Sequence, residues 1–171
     1  MLLDIQRKYI PKILYTQVMK ILAPASIVAL LLSLLAGYAA ENFLVQPIWL
    51  IDRQVGLLLS HNPGIAFGIH LPSPPQEIII LLALAAVTVV AMRSTDRLPL
   101  AAFGLIIGGA VANLIDRFMD GVVTDFIRVG TFPVFNLADS CITVGAALLI
   151  AEALLLAWKG RQKGLGSHRN K

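Results

Sequence analysis

The sequence predicts an all-α polytopic membrane protein with four transmembrane helices and a small extracytoplasmic β-rich element between the first and second helices. Of its 171 residues, 57% are hydrophobic and 14% are charged, and the mean hydropathy is +0.79. This composition is too apolar for an ordinary soluble domain, and the length is too short for several domains. We therefore expect residues 1–171 to form a single membrane-embedded domain.

The apolar residues are concentrated in four stretches of the chain, at residues 21–40, 78–92, 98–115 and 142–158. A helix needs about 20 residues to cross a hydrocarbon core of about 30 Å, so the last three stretches need flanking residues to span it. The first stretch follows a charged leader and ends in small residues, as a cleavable signal peptide does. Its leader is long for a signal peptide, and an even number of spans requires it, so we interpret it as a permanent helix.

The basic residues predict the orientation of these helices. They cluster before the first stretch, between the second and third, and in the tail, as Arg7, Lys8, Lys12, Lys20, Arg93, Arg97, Lys159, Arg161, Lys163, Arg169 and Lys171. By the positive-inside bias, the basic tails of about residues 1–20 and 159–171 lie in the cytoplasm, and segments 41–77 and 116–141 lie outside. The net charge of +4 comes from these anchors, which predicts membrane lipids as partners and no nucleic acid.

The two external segments contain turn-forming residues. In the first, residues 49–60 mix apolar and polar side chains and run into Asn62-Pro63-Gly64, which predicts a small strand-and-turn structure. In the second, Gly130-Thr131-Phe132-Pro133 marks a tight connection back to the membrane. The shortness of this connection can hold residues on its two sides near one another.

Asp125 and Asp139 lie on those two sides, each embedded in apolar sequence. A carboxylate at the edge of a bilayer is usually tolerated only where it faces a protein interior or wet cavity and has a partner. Two carboxyl groups a few Å apart share one proton and titrate as a unit, so one acts as a base and the other as an acid. We therefore predict that this pair carries the function.

The end of the third stretch mixes small and polar residues, from Gly108 to Arg117. Glycine lets helices approach closely, and Asn113 and Asp116, three residues apart, share a helical face. For Asp116 alone, helix packing with a local ion pair to Arg117 is the favoured interpretation. The planar guanidinium of Arg117 can also hold a substrate carbonyl or phosphate.

Other chemistries have little support in the sequence. Cys141 is the only cysteine, so no internal disulfide can form, and a free cysteine in an apolar helix is more often a packing residue than a nucleophile. His61 is interpreted as a surface residue rather than a base. Because no cysteine or histidine pair has the spacing of metal ligands, we expect no metal and no cofactor.

Four patches of the sequence together resemble lipoprotein signal peptidase, also called signal peptidase II, a bacterial membrane aspartic peptidase. The resemblance covers residues 62–144, about half of the chain. Its patches are Asn62-Pro63-Gly64-Ile65-Ala66-Phe67-Gly68, Gly108-Gly109-Ala110-Val111-Ala112-Asn113-Leu114-Ile115-Asp116-Arg117, Val123-Thr124-Asp125-Phe126-Ile127 and Phe132-Pro133-Val134-Phe135-Asn136-Leu137-Ala138-Asp139-Ser140. The family also tends to carry Asp-x-x-x-Lys after the first span, where this chain has Glu41 and Val45.

The resemblance implies a function and a set of site residues. It implies that Asp125 and Asp139 are the catalytic pair, and that the residues lining or supporting the site are Asn62, Asn113, Asp116, Arg117 and Asn136. The implied substrate is a diacylglyceryl-modified prolipoprotein, cut just before its lipidated cysteine. The implied location is the bacterial cytoplasmic (inner) membrane, with the site at the outer face and both termini in the cytoplasm.

Several alternatives remain open at the level of sequence. Asn113 and Asn136 can orient the acids or form bonds between helices, and Asn62 can bind substrate or shape a turn. Small four-span proteins with acidic residues can also be proton-coupled transporters, although transporter sites usually lie near the bilayer midplane. A noncatalytic membrane scaffold is the third candidate.

Overall fold

We describe the fold from a computed structural model of the chain, which describes residues 16, 18–64 and 75–168. In chain order, its elements are a π-helical turn (Val18–Leu22), α1 (Ala23–Phe43), β1 (Ile48–Ile51), β2 (Val55–Asn62), α2 (Pro75–Ala91), α3 (Arg97–Asp120), β3 (Val123–Val129) and α4 (Leu137–His168). Several predicted features lie outside the described residues: most of the N-terminal basic tail, the end of the C-terminal tail and the part of the first patch after Gly64.

The helices match the predicted apolar stretches in number within the described part of the chain. Three segments are long and apolar enough to cross a membrane, namely Lys20–Phe43, Arg97–Asp120 and Leu137–Gln162. The fourth helix, α2, is apolar but has 17 residues, at the lower limit for crossing a bilayer. The protein is thus mostly helical with membrane-length helices, and the count of four spans stays a prediction.

Helix α3 packs between α1 and α4 because glycines remove the side chains at the contacts. A Cβ atom added to Gly108 would collide with the backbone carbonyl of Ser26 in α1, and one added to Gly109 would lie 2.5 Å from the carbonyl oxygen of Ala138 in α4. Backbones can approach this closely only where no side chain stands between them. The packing sets Asn113, one turn further along α3, beside the start of α4.

A three-stranded antiparallel sheet in the order β1-β2-β3 lies at the end of α1. The sequence placed the β-rich element between the first two helices, and that segment supplies only β1 and β2. The third strand comes from the connection between α3 and α4, where Val123, Thr124 and Ile127 favour an extended chain. Its register pairs Ser60 with Asp125, so β2 fixes the position of this carboxylate.

The sheet is fastened to the helices by a small apolar cluster. Ala40 and Leu44 at the end of α1 pack against Phe126 of β3, and Leu137 at the start of α4 packs at the same cluster. Burying an aromatic side chain stabilises such a contact by about 1.5–3 kcal/mol. Since Phe126 follows Asp125 directly, its burial also holds the strand segment that carries the acid.

Two chain reversals bring α3, β3 and α4 together. Helix α3 ends at Asp120 and is capped by Gly121, which has a left-handed backbone (φ 78°) and whose N–H donates to the carbonyl of Arg117 (2.9 Å). After β3, the chain turns back so that Phe135 pairs with Ile127. The residues after Phe135 therefore lie beside the strand residues near Asp125, as the shortness of the connection predicted.

Candidate active site

Asp125 is the most deeply buried acid of the candidate site, with 1% of its surface exposed. Its Oδ2 accepts a hydrogen bond from the amide of Asn62 at the end of β2 (3.0 Å). Its Oδ1 is buried and has no hydrogen-bond donor within the described part of the chain. An unpaired buried carboxylate oxygen is costly, so this atom is suited to carry a proton or to meet a substrate or water.

The surroundings of Asp125 change its acidity. Burial raises its pKa to about 6, because the charged form loses its hydration, and the negative charges of Asp139 and Asp116 act in the same direction. The hydrogen bond from Asn62 and the positive charge of Arg117 lower the pKa but do not cancel the effect of burial. Asp125 therefore keeps its proton at a pH where an ordinary aspartic acid is ionised.

Asp139 lies in the first turn of α4, where it forms a capping box with Asn136. The Oδ1 of Asn136 accepts the backbone N–H of Asp139 (2.8 Å), and the Oδ2 of Asp139 accepts the backbone N–H of Asn136 (3.4 Å). Reciprocal bonds of this kind satisfy two donors that the helix itself leaves unpaired. The cap fixes the carboxyl plane of Asp139 and leaves its Oδ1 for another partner.

That partner is Asn113 of α3, whose Nδ2 donates to Oδ1 of Asp139 (2.8 Å). The Oδ1 of Asn113 in turn accepts a hydrogen bond from Nδ2 of Asn136 (2.9 Å). Each amide is thereby used as donor and acceptor, which sets its orientation. The two interpretations of these asparagines are compatible, because the same bonds connect α3 to α4 and orient the acid.

Arg117, on the same helix as Asn113, is buried at 9% exposure. It donates to the backbone carbonyl of Gly64 from Nη2 (2.5 Å) and to that of Asn113 from Nη1 (3.3 Å). The carboxylates of Asp139, Asp125, Glu77 and Asp116 all act on it electrostatically. The guanidinium therefore supplies positive charge within reach of both acids and holds the turn after β2.

Asp116 contributes through the backbone of β3. Its Oδ2 accepts the N–H of Thr124 (2.7 Å), the residue just before Asp125. This charge-assisted bond joins the end of α3 to the strand. The charge of Asp116 also acts on Arg117, but less strongly than the charges of Asp139, Asp125 and Glu77.

Asn62 has the two roles that its sequence position allowed. Its Oδ1 accepts the N–H of Gly64 (2.9 Å), which shapes the turn, while its amide group donates to Asp125. Next to it, His61 lies on the surface, half exposed, with its Nε2 3.0 Å from the carboxylate of Glu41. The seven predicted site residues are thus joined by side-chain bonds and by bonds through the backbone of Gly64, Asn113 and Thr124.

The structure also places beside the site a buried polar residue, Gln76, that the sequence did not indicate. Gln76 in the first turn of α2 is 3% exposed, and its Nε2 lies 3.4 Å from the carbonyl oxygen of Pro63. A polar residue directly before an apolar stretch was the only available signal. Among the described residues, no group of three His, Cys, Asp or Glu side chains is placed to hold a metal ion.

Comparison with known proteins identifies the family. The family model described as signal peptidase (SPase) II matches residues 13–155. The chain belongs to the signal peptidase II family. This family is one of aspartic peptidases, and the apolar helices agree with a membrane-embedded member of it.

Similar proteins and structures support this assignment. The lipoprotein signal peptidase of Rhodococcus jostii (strain RHA1) is 42% identical over 130 residues, covering 70% of this chain and 65% of that protein. That of Rhodopseudomonas palustris (strain ATCC BAA-98 / CGA009) is 38% identical over 151 residues, covering 77% and 90%. Two solved structures of a bacterial membrane enzyme each have a TM-score of 0.68 to this chain and cover 76% of it. The structure at 2.3 Å resolution is 26% identical, and 85% of its chain is covered. The structure at 1.9 Å resolution is 27% identical, and 90% of its chain is covered.

Proposed function

We propose that this signal peptidase II family member removes signal peptides from diacylglyceryl-modified prolipoproteins by water attack on the bond before the lipidated cysteine. Asp125 and Asp139 are the catalytic pair. The observation that supports this most is the contrast between the two acids. Asp125 is buried with a raised pKa and an unpaired oxygen, whereas Asp139 is held by three hydrogen bonds, one of them from its own N–H.

The contrast suggests a role for each acid. Asp125 holds the proton and acts as the general acid, because burial disfavours its charged form. Asp139 is the base, and the N–H groups of Asn113 and Asn136 orient its carboxylate by donating to its two oxygens. The two acids thus have different surroundings, and the burial of Asp125 suits it to the role of the acid in general acid–base catalysis.

The reaction follows from these roles. Asp139 takes a proton from water while the water oxygen forms a bond to the peptide carbonyl carbon, and Asp125 gives its proton to the carbonyl oxygen. The tetrahedral intermediate then collapses. The carbon–nitrogen bond breaks as the amine nitrogen receives the proton now on Asp139, and the hydroxyl proton returns to Asp125. Both acids end as they began, with no covalent enzyme intermediate.

The neighbouring residues support this chemistry in distinct ways. Asn113 and Asn136 orient Asp139, and Asp116 positions Asp125 through the N–H of Thr124. Arg117 stabilises the negative charge that moves onto Asp125 as this acid gives its proton to the substrate, and it holds the Gly64 carbonyl. No metal or cofactor takes part in this proposal.

We place the site at the outer face of the bacterial cytoplasmic membrane, in a multi-pass protein with both termini in the cytoplasm. The basic residues favour this orientation. A lipid-anchored signal peptide would lie along the helices with its scissile bond at the membrane surface, where water can enter. The lipidated prolipoprotein and the surrounding membrane lipids are therefore the proposed partners.

A cleavage assay tests the proposal. Purified protein in lipid is incubated with a diacylglyceryl-modified precursor, and the mobility of the precursor is followed. We expect cleavage by the parent protein and its loss in Asp125→Asn and Asp139→Asn, with Asp120→Asn, an exposed acid at the end of α3, as the matched control.

The alternatives give different results in the same preparation. An intact precursor together with carboxylate-dependent proton flux would show a transporter. An intact precursor that still binds would show a noncatalytic scaffold. Cleavage that survives both substitutions would refute the roles of the two aspartates.

A further inference from the structure

A cavity of about 420 Å³ lies at the end of the helix bundle opposite the aspartates, lined by Thr16, Lys20, Ile21 and Arg97. Arg97 begins α3, and Asn113 follows it by 16 residues on the same helix. At 1.5 Å per residue, the cavity and the acid pair are separated by about 24 Å along the helix axis. The cavity is therefore independent of the candidate active site.

The lining of this cavity combines two cations, one hydroxyl group and one apolar side chain. In the part of the chain that the structure describes, neither Lys20 nor Arg97 has a carboxylate within ion-pair distance. Asp96 precedes Arg97 but does not line the cavity. Two like charges facing one cavity repel each other, so an anion that enters it relieves the repulsion.

The local backbone builds the cavity from two packed elements. Lys20 lies in the π-helical turn Val18–Leu22, an uncommon conformation that is frequent at functional sites. This turn is held against α3, because Gly104 leaves room for the carbonyl of Leu22 at 2.9 Å from the position that a Cβ would take. The start of α3 is also fixed, since Leu100 is fully buried. The spacing of the two cations is thus set by helix packing.

We propose that this cavity binds the headgroup of an anionic glycerophospholipid. The phosphate lies between Lys20 and Arg97, where two cations and the N-terminal end of α3 all favour negative charge. Thr16 adds a polar side chain to the same lining. Ile21 begins the apolar surface of the span Lys20–Phe43, along which an acyl chain continues. The lining suits a lipid better than a soluble phosphate, because it joins the cations to a surface that faces hydrocarbon.

The test is titration of the detergent-purified protein with phosphatidylglycerol or phosphatidylcholine, read as lipid-bound species by native mass spectrometry. The cavity variant is Lys20→Gln/Arg97→Gln. The matched control, Lys159→Gln/Arg161→Gln, removes the same charge from α4 outside the cavity. We expect saturable phosphatidylglycerol binding by the parent and control, at least tenfold weaker binding by the cavity variant, and no comparable binding of phosphatidylcholine.

Three outcomes would overturn the proposal. Equal weakening in both variants would mean that binding reflects surface charge alone, and unchanged binding in the cavity variant would place the lipid elsewhere. Full displacement of phosphatidylglycerol by inorganic phosphate at equal concentration would mean a simple anion site. Helical content by circular dichroism and cleavage of precursor, both expected to be unchanged, separate a loss of lipid binding from misfolding.

Discussion

Replacing Asn62 by leucine, a residue of similar volume, should move the upper pH limit of activity. In the parent protein, the amide of Asn62 donates to Asp125 (3.0 Å), and this hydrogen bond lowers the pKa of Asp125. The substitution removes the bond. A hydrogen bond to a charged group contributes about 1.5–3 kcal/mol, and one pKa unit corresponds to about 1.36 kcal/mol. The pKa of Asp125 should therefore rise from about 6 by roughly one to two units.

The direction of the activity change follows from the role of Asp125 as an acid. Its contribution is present while the carboxyl is protonated and is lost as pH rises through its pKa. A higher pKa extends activity to higher pH, although the maximum rate falls because Asn62 also shapes the turn to Gly64. The measurement is kcat/KM for precursor cleavage from pH 4.5 to 9, because this quantity reports the free enzyme's titrating groups.

A neighbouring substitution provides the control for this prediction. His61→Gln changes the adjacent residue of β2 and removes its exposed contact with Glu41 but does not touch Asp125. Its upper pH limit should equal that of the parent. An Asn62→Leu profile whose upper limit stays in place, or moves to lower pH, would refute the assignment of the proton to Asp125.

Three further predictions concern stability, measured as the thermal unfolding midpoint in detergent. The pKa of Asp125 is higher in the folded protein than in the unfolded chain, so the free energy of unfolding falls as pH rises from about 4 to 6. Asp125→Asn should remove this pH dependence, and an unchanged slope in the variant would contradict the prediction. Gly108→Ala should destabilise the protein by about 1–3 kcal/mol, because the added Cβ meets a backbone carbonyl of α1. Gly37→Ala, which has open space around it, should be neutral or stabilising. Equal effects of the two substitutions would argue against close packing at Gly108. Asp116→Leu should cost about 1–3 kcal/mol by leaving the Thr124 N–H without its acceptor, and a neutral result would show that the bond is dispensable.

Much of the candidate site was accessible from sequence because it depends on local spacing. One helix carries Asn113, Asp116 and Arg117. Helical periodicity therefore predicts that these three residues lie together at one end of the bundle. The association of Asn136 with Asp139 follows from the three-residue spacing of a capping box. The resemblance to the family added the proposed roles, which spacing alone does not supply.

The features that sequence missed depend on long-range pairing. The strand that carries Asp125 pairs with β2, and its partner Ser60 is 65 positions earlier in the chain. No local pattern states which strands will pair across such a distance. The contact of Gln76 with the Pro63 carbonyl also depends on where α2 starts in space rather than on its own sequence.

The capping box gives Asp139 a second duty beside the proposed catalysis. The side chain that is proposed to remove a proton from water also caps the N-terminus of α4. Glutamate keeps the charge and can form a capping box, but its extra methylene group moves the carboxyl away from the position that the bond from Asn113 sets. Selection at this position therefore acts on folding and on turnover together, and a variant adapted to resist an active-site inhibitor has little freedom to change it.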